Sequence, residues 1–260
     1  MIKSCIFGLG GTIVDKYALT TFLSLRKVFE TVEIHISQNL LSKNIELSAN
    51  SRIISIISEK DILDRWLEKY DNYPDEYDIR SLISLYHSIH TGYCKNLITI
   101  LPETKKCIEY LREQDILIGC TTNYSRTNMN LIKQRLDNNN IIIDNYVSAN
   151  INQKPYPYMI HKNMKDFMIY NPRNIIKISN SVSGIQEGNK AGCWNVGVAR
   201  WSIHMNIYGI SEAYSLPSQE LQSNLDNSRN TLEKAGADFV INTLDELPTI
   251  IEHLNTEFRA

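Results

Sequence analysis

The chain has 260 residues, 43% of them hydrophobic, with a formal net charge of -2. That length and apolar share suit one sizeable core domain plus a smaller module, and the balanced charge without a basic run excludes nucleic acid and an anionic membrane surface as partners. No apolar run is long enough to span a bilayer and the N-terminus enters a strand directly, so the expectation is a cytoplasmic protein with no membrane segment.

Taken in chain order, the run from Ser4 to Phe7 reads as a buried strand, followed by a small-residue turn, Gly8-Leu9-Gly10-Gly11, and a helix from about Tyr17 to Val32. From about Ile36 to Ile98 apolar residues recur at helical spacing, as in Ile53-Ile54-Ile56-Ile57 and Leu82-Ile83-Leu85-Tyr86-Ile89, with almost no strand signal. After Leu101 the pattern alternates: a helix to about Glu113, a strand Ile116–Cys120, and a helix through about Leu136. A strand near Tyr146–Val147, a helix after Pro157, a strand Ile175–Ile178, a helix near Val182–Ala191 and a strand Asn195–Val198 follow. A polar helical excursion from Trp201 to Gly236 then leads to a strand Phe239–Ile241 and a last helix ending near His253. Strands alternating with helices of this length predict an α/β fold: a Rossmann-like parallel sheet with helices on both faces and an inserted α-helical cap. The expected domains are a core of residues 1–20 and 99–260 and a cap of residues 21–98.

The five cysteines, Cys5, Cys94, Cys107, Cys120 and Cys193, are odd in number and lack metal-type pairing, which reads as reduced core thiols. His87 and His90 sit three apart on an expected cap helix. With no third ligand near in sequence, they read as a half-solvated face instead of a metal site. Cys120 adjoins the expected crevice, but no histidine is placed to activate it as a nucleophile.

Ligands of a parallel sheet bind at the carboxyl ends of the strands. Four loops converge there: Gly8-Leu9-Gly10-Gly11-Thr12, Cys120-Thr121-Thr122-Asn123, Lys154-Pro155-Tyr156-Pro157, and Ser179-Asn180-Ser181-Val182-Ser183-Gly184. The glycines of the first loop serve a tight turn, an anion cradle, or both. A dinucleotide loop fails on detail, because Ile13 stands at the third-glycine position and no acid follows the next strand. Tyr156 and Tyr158 read as packing and turn residues.

In this order, with a helical insert after the first, the four loops resemble the motifs of the haloacid dehalogenase superfamily of phosphotransferases. Gly11-Thr12-x-Val14-Asp15, Thr121-Thr122-x-Tyr124, Pro155-Tyr156-Pro157-x-Met159, Val182-Ser183 followed by Glu187-Gly188, Ala191-Gly192-x-Trp194-x-Val196-Gly197-Val198 and Gly236-Ala237-Asp238-Phe239 are similar to the phosphonoacetaldehyde hydrolase (phosphonatase) family, over nearly the whole chain. The resemblance implies an aspartate nucleophile at the end of the first strand, a cap lysine forming an imine with the aldehyde, and Mg²⁺ on acidic residues. This sequence departs at each place. Gly8 stands at the nucleophile position, Asn180 and Gly184 stand where the fourth-strand loop has acids, and Ala49 aligns with the imine-forming lysine. Arg52 aligns with a neighbouring family histidine, and Lys43 and Lys60 are substitutes if the alignment slips.

Thr121 matches the residue that hydrogen-bonds a phosphoryl oxygen, and Lys154 the basic residue that holds nucleophile and phosphoryl group together. Without the carboxylates the crevice becomes more positive. The resemblance therefore implies a pseudoenzyme: phosphonatase activity and Mg²⁺ are lost, and a phosphate- or phosphonate-like anion binds without metal through Gly8, Gly10, Thr121, Thr122, Lys154 and Asn180. The alternative is a hydrolase with altered chemistry in the same crevice, using Cys120, Ser181 or Ser183 with Lys154. The family also implies a homodimer through the cap, where Trp66 and Tyr70 remain.

Overall fold

The structure, a computed structural model, describes residues 1–43, 45–149 and 154–257, which divide into two compact units. One comprises Met1–Ala18, Thr99–Met205 and the chain from Leu216 onward; the other comprises Leu19–Ile98 and Asn206–Ser215. The short segment 206–215 therefore joins the helical unit, whereas the sequence reading left it with the core.

The first unit is built on six parallel strands: β1 Ser4–Phe7, β2 Leu117–Thr122, β3 Asn145–Ser148, β4 Ile175–Ser179, β5 Trp194–Val198 and β6 Phe239–Ile241. Their order, β3-β2-β1-β4-β5-β6, reverses direction between β1 and β4, and the crevice at such a reversal is where open parallel sheets bind ligands. The central strands are buried along their whole length, as the unbroken runs Cys5-Ile6-Phe7 and Ile175-Ile176 require. Ile6, Ile160, Ile169, Ile175 and Cys193 share one core cluster on the sheet.

The strand β2 runs two residues further than the sequence expectation, because Thr121 and Thr122 continue the ladder opposite Val147 and Ser148. The two threonines thus belong to a strand and point to opposite faces. The turn after β1 also differs: Gly8 to Asp15 stays non-helical, a single 3-10 turn follows at Lys16–Ala18, and the first α-helix starts only at Leu19.

The second unit holds α1 Leu19–Thr31, α2 Gln38–Ser42, α3 Ala49–Ile57, α4 Lys60–Tyr70 and α5 Glu76–Asn96. A capping box fixes the start of α5, Asp75 accepting from the Asp78 amide at 2.9 Å and Asp78 from the Asp75 amide at 3.0 Å. Phe22, Leu25, Phe29, Ile53, Ile57, Trp66, Leu82 and Tyr86 form its core, each burial stabilising by about 1.5–3 kcal/mol. Trp66 is consequently core and not available to an interface.

His87 and His90 separate: His87 is exposed, whereas His90 is buried within 3.4 Å of Thr20 Oγ1 and 3.7 Å of Cys94 Sγ. Ala49 opens α3, Arg52 is buried with its guanidinium on the Leu41 carbonyl and over the Phe22 ring, Lys43 pairs with Glu59, and Lys60 is exposed. In chain order the remaining helices are α6 Thr104–Glu113, α7 Arg126–Asp137, α8 Tyr158–Asp166, α9 Val182–Ala191, α10 Ile210–Ser215 of the second unit, α11 Ser218–Lys234 and α12 Leu247–Glu257. No described helix is long and apolar enough to cross a membrane.

Candidate functional site

At the end of β1, Gly8 donates its amide to the Ile178 carbonyl of β4 at 2.8 Å, so the turn begins locked to the neighbouring strand. The Leu9 carbonyl then takes the amides of Thr12, Ile13 and Val14 at 3.0–3.2 Å, and the Gly11 amide goes to the Val14 and Asp15 carbonyls. The Leu9 and Gly10 amides have no acceptor among the described residues and remain the donors this turn can offer an anion. Gly10 and Gly11 are required sterically. A Cβ on Gly10 would lie 2.3 Å from Tyr124 Oη, and one on Gly11, whose φ is +69°, 2.1 Å from Asn180 Nδ2.

Asn180, at the end of β4, is fixed from two sides. Its Oδ1 accepts from Thr12 Oγ1 at 3.1 Å and its carbonyl from Ser202 Oγ at 2.6 Å. Its Nδ2 is buried with no acceptor among the described residues. Ser181 caps α9 by accepting from the Gly184 amide at 3.2 Å, and the hydroxyls of Ser179, Ser181 and Ser183 follow one another at 3.4 and 3.5 Å.

On the other flank, strand alternation separates the two threonines. Thr121 is fully buried; Lys177 of β4 donates to its Oγ1, which in turn donates to Glu187 Oε2 at 3.0 Å. Its proton is thereby committed inside the protein, and it is not the hydroxyl that meets a ligand. Thr122 Oγ1 accepts from the Tyr124 amide at 3.1 Å, which leaves its own hydrogen to donate.

Lys154, just before a cis Pro155, bonds the Thr121 carbonyl at 3.3 Å and approaches Glu187 Oε2 at 3.8 Å, while Asn123 Oδ1 accepts from its amide at 3.2 Å. Glu187 and Lys177, 3.1 Å apart and fully buried, are site residues that the sequence reading did not assign. A lysine inside the apolar run Ile175-Ile176-Lys177-Ile178 is their signal, since a buried cation needs a counter-ion.

Among the described residues, the carboxylates Glu187 and Asp15 near these loops are both engaged, Glu187 by the lysines and Asp15 by Tyr124 Oη at 3.0 Å. Mg²⁺ takes hard oxygen ligands in octahedral geometry, usually with one or two carboxylates. Here Gly8 and Gly184 contribute no side chain, Asn180 Oδ1 is occupied and Asn180 turns a donor inward. Among the described residues no group of three or more His, Cys, Asp or Glu could hold a metal ion. The residues present do not fit Mg²⁺.

Cys120 does not fit a nucleophile either. It is buried, and desolvation pushes its thiol up to about 12 despite Lys177 and Lys154 nearby, so it stays protonated. All five cysteines are free and buried, as expected.

The model of the haloacid dehalogenase-like hydrolase family matches residues 5–198, a span that includes every strand-end group described above. A phosphonoacetaldehyde hydrolase of Bacillus cereus strain G9842 is 29% identical over 261 residues, covering 98% of this chain and 97% of that protein. One from Parabacteroides distasonis is 29% identical over 262 residues, covering 100% and 99%. Among crystal structures, a phosphonoacetaldehyde hydrolase-like protein from Oleispira antarctica shares the fold at a TM-score of 0.88 and 24% identity, over 98% of this chain and 93% of that one. A β-phosphoglucomutase from Clostridium difficile shares it at a TM-score of 0.65 and 22% identity, over 100% of each chain. With its parallel sheet, its strand-end loops and this match, the chain belongs to the haloacid dehalogenase-like hydrolase family.

Proposed function

We propose that this protein is a non-catalytic relative of phosphonoacetaldehyde hydrolase that binds a phosphate- or phosphonate-like anion without a metal ion. One observation carries the reading: the crevice between β1, β2 and β4 presents hydrogen-bond donors and a lysine where a phosphotransferase of this kind needs carboxylates. Gly8 takes the place of the nucleophilic aspartate, and Asn180 and Gly184 take the places of metal-binding acids. An incoming phosphoryl group meets the Leu9 and Gly10 amides, the Thr122 hydroxyl and the Lys154 ammonium, and Asn180 Nδ2, buried in the free protein, joins them once the ligand exposes it. Leu9, Gly10, Thr122 and Asn180 come from three adjacent strand ends about 4.8 Å apart, and Lys154 joins them from the loop after β3. A charge about 4 Å from the anion contributes about 4 kcal/mol at an effective dielectric constant near 20. The phosphonate class of ligand comes from the relatives.

Loss of a covalent nucleophile alone costs roughly 10³ to 10⁶ in rate, and here the metal ligands are absent as well. We also propose a homodimer through the helical unit, whose Tyr70, Tyr73 and Tyr77 are exposed, and a reducing compartment such as the cytoplasm, consistent with five free cysteines. Phosphate release from phosphonoacetaldehyde with Mg²⁺ present, run beside the Bacillus cereus relative, tests the reading. No release above the uncatalysed rate is expected, and turnover within a few-fold of that relative would overturn it.

A further inference from the structure

The anion reading raises a difficulty in the structure itself. Lys154, its principal cation, faces a buried carboxylate 3.8 Å away, and Glu187 would compete with any anion for it. The surroundings of Glu187 resolve the competition. Three donors converge on Oε2: Thr121 Oγ1 at 3.0 Å, Lys177 Nζ at 3.1 Å and Lys154 Nζ at 3.8 Å. Oε1 has no partner among the described residues, so the neutralisation of Glu187 runs through this one oxygen. Lys177 also donates to Thr121 Oγ1 and so orients the hydroxyl that bonds the carboxylate.

Of the three, Lys154 is the most distant, and its side chain alone keeps any exposure, 8% against none for Lys177 and Glu187. Lys177 sits two residues before the end of β4, roughly 7 Å along the strand from the loop, and stays behind when Lys154 moves. Within this cluster two lysines face one carboxylate, and Lys154 is the one held less closely.

We propose that Lys177 is a positioning residue: it neutralises Glu187 from within the sheet, so that Lys154 can leave Glu187 for an incoming phosphoryl anion. This rests on the anion reading above. Without Lys177, Glu187 keeps Lys154 for itself.

The test compares the wild type, Lys177→Met, Glu187→Gln and the double variant by calorimetric titration with inorganic phosphate. Acetylation of Lys154 by acetic anhydride, mapped by mass spectrometry without ligand, is measured in parallel. In Lys177→Met phosphate affinity should fall by about tenfold or more and Lys154 acetylation should slow. In the double variant, where Glu187 no longer holds Lys154, both should return to within about threefold of the wild type, a non-additive coupling that simple loss of packing does not produce.

Should Lys177→Met fail to fold, Glu187→Gln decides alone: Lys154 loses its competitor, so its acetylation must quicken and phosphate must bind more tightly. An equal affinity and acetylation rate in folded Lys177→Met and wild type, or a double variant no better than Lys177→Met, would overturn the proposal. If the wild type binds no phosphate, the anion reading fails, and the acetylation pattern still reports whether Lys177 governs Lys154.

Discussion

Gly184 offers a test of whether this crevice tolerates any side chain at that position. A Cβ placed there would lie 1.9 Å from Ser179 Oγ and 2.7 Å from Ser179 Cβ, separations that side chains do not tolerate. Ser179 is almost fully buried in β4 and has nowhere to retreat. Gly184→Ala should therefore gain up to about 1 kcal/mol of helix propensity in α9 and lose about 1–3 kcal/mol to overpacking, a net loss of up to about 2 kcal/mol if the full propensity gain is realised.

Ser179→Gly removes both clashing atoms, and the third near atom, Ser181 Oγ at 3.1 Å, need give by only a few tenths of an ångström. In that background Gly184→Ala should change sign and stabilise by up to about 1 kcal/mol, a coupling of about 1–3 kcal/mol, the overpacking cost itself. Urea denaturation of the four proteins reads the cycle, supported by melting temperatures that shift about 2–4 °C per kcal/mol for a domain of this size. Additive effects, or a Gly184→Ala variant more stable than the wild type, would refute the reasoning. If the cycle holds, position 184 admits a larger side chain only once Ser179 becomes glycine.

Gly8→Asp alone should restore neither phosphonoacetaldehyde turnover nor a Mg²⁺ requirement, because Asn180 and Gly184 still supply no anionic ligand; phosphate release by the single variant would contradict this. With its thiol pushed up to about 12 and buried, Cys120 should resist iodoacetamide at pH 8 until urea unfolds the chain, and rapid labelling of folded protein at this position would show the crevice is built differently. His90 is held neutral, its pKa lowered to about 4 chiefly by burial and then by His87. The unfolded chain binds the extra proton near pH 6.5, so the contribution is complete above that pH and lost as pH falls toward 4, by about 2–3 kcal/mol. Urea midpoints at pH 7 and 4.5 should diverge less in His90→Gln than in the wild type, and equal pH dependence in both would remove His90 as the cause.

Much of the architecture is legible in the sequence because parallel strands buried on both faces leave unbroken apolar runs, such as Cys5-Ile6-Phe7 and Ile175-Ile176, bounded by polar turns. The strand ends are legible for the same reason, and Gly8, Thr122 and Asn180 lie at or beside them. The fate of Thr121 was not. Period-two alternation assigns opposite faces, but only the ladder partner Val147 shows that the strand is still running there.

Lys177 and Glu187 escaped because Glu187 sits among the polar residues of α9, where nothing marks it as buried, and ten positions of sequence separate the two partners. His90 sat in plain view on the stripe Leu82, Tyr86, His90, Cys94, where spacing by four marks the core face of α5. Reading His87 and His90 as a pair missed it, since residues three apart on a helix need not share one environment.

The central claim is a metal-independent anion site organised around Lys154. Calorimetric titration of the wild type and Lys154→Ala with phosphate and with a stable phosphonate, each with Mg²⁺ and with a chelator, tests it most directly. The account predicts binding that is indifferent to Mg²⁺ and lost in Lys154→Ala. Binding that requires Mg²⁺, or that survives without Lys154, would contradict it.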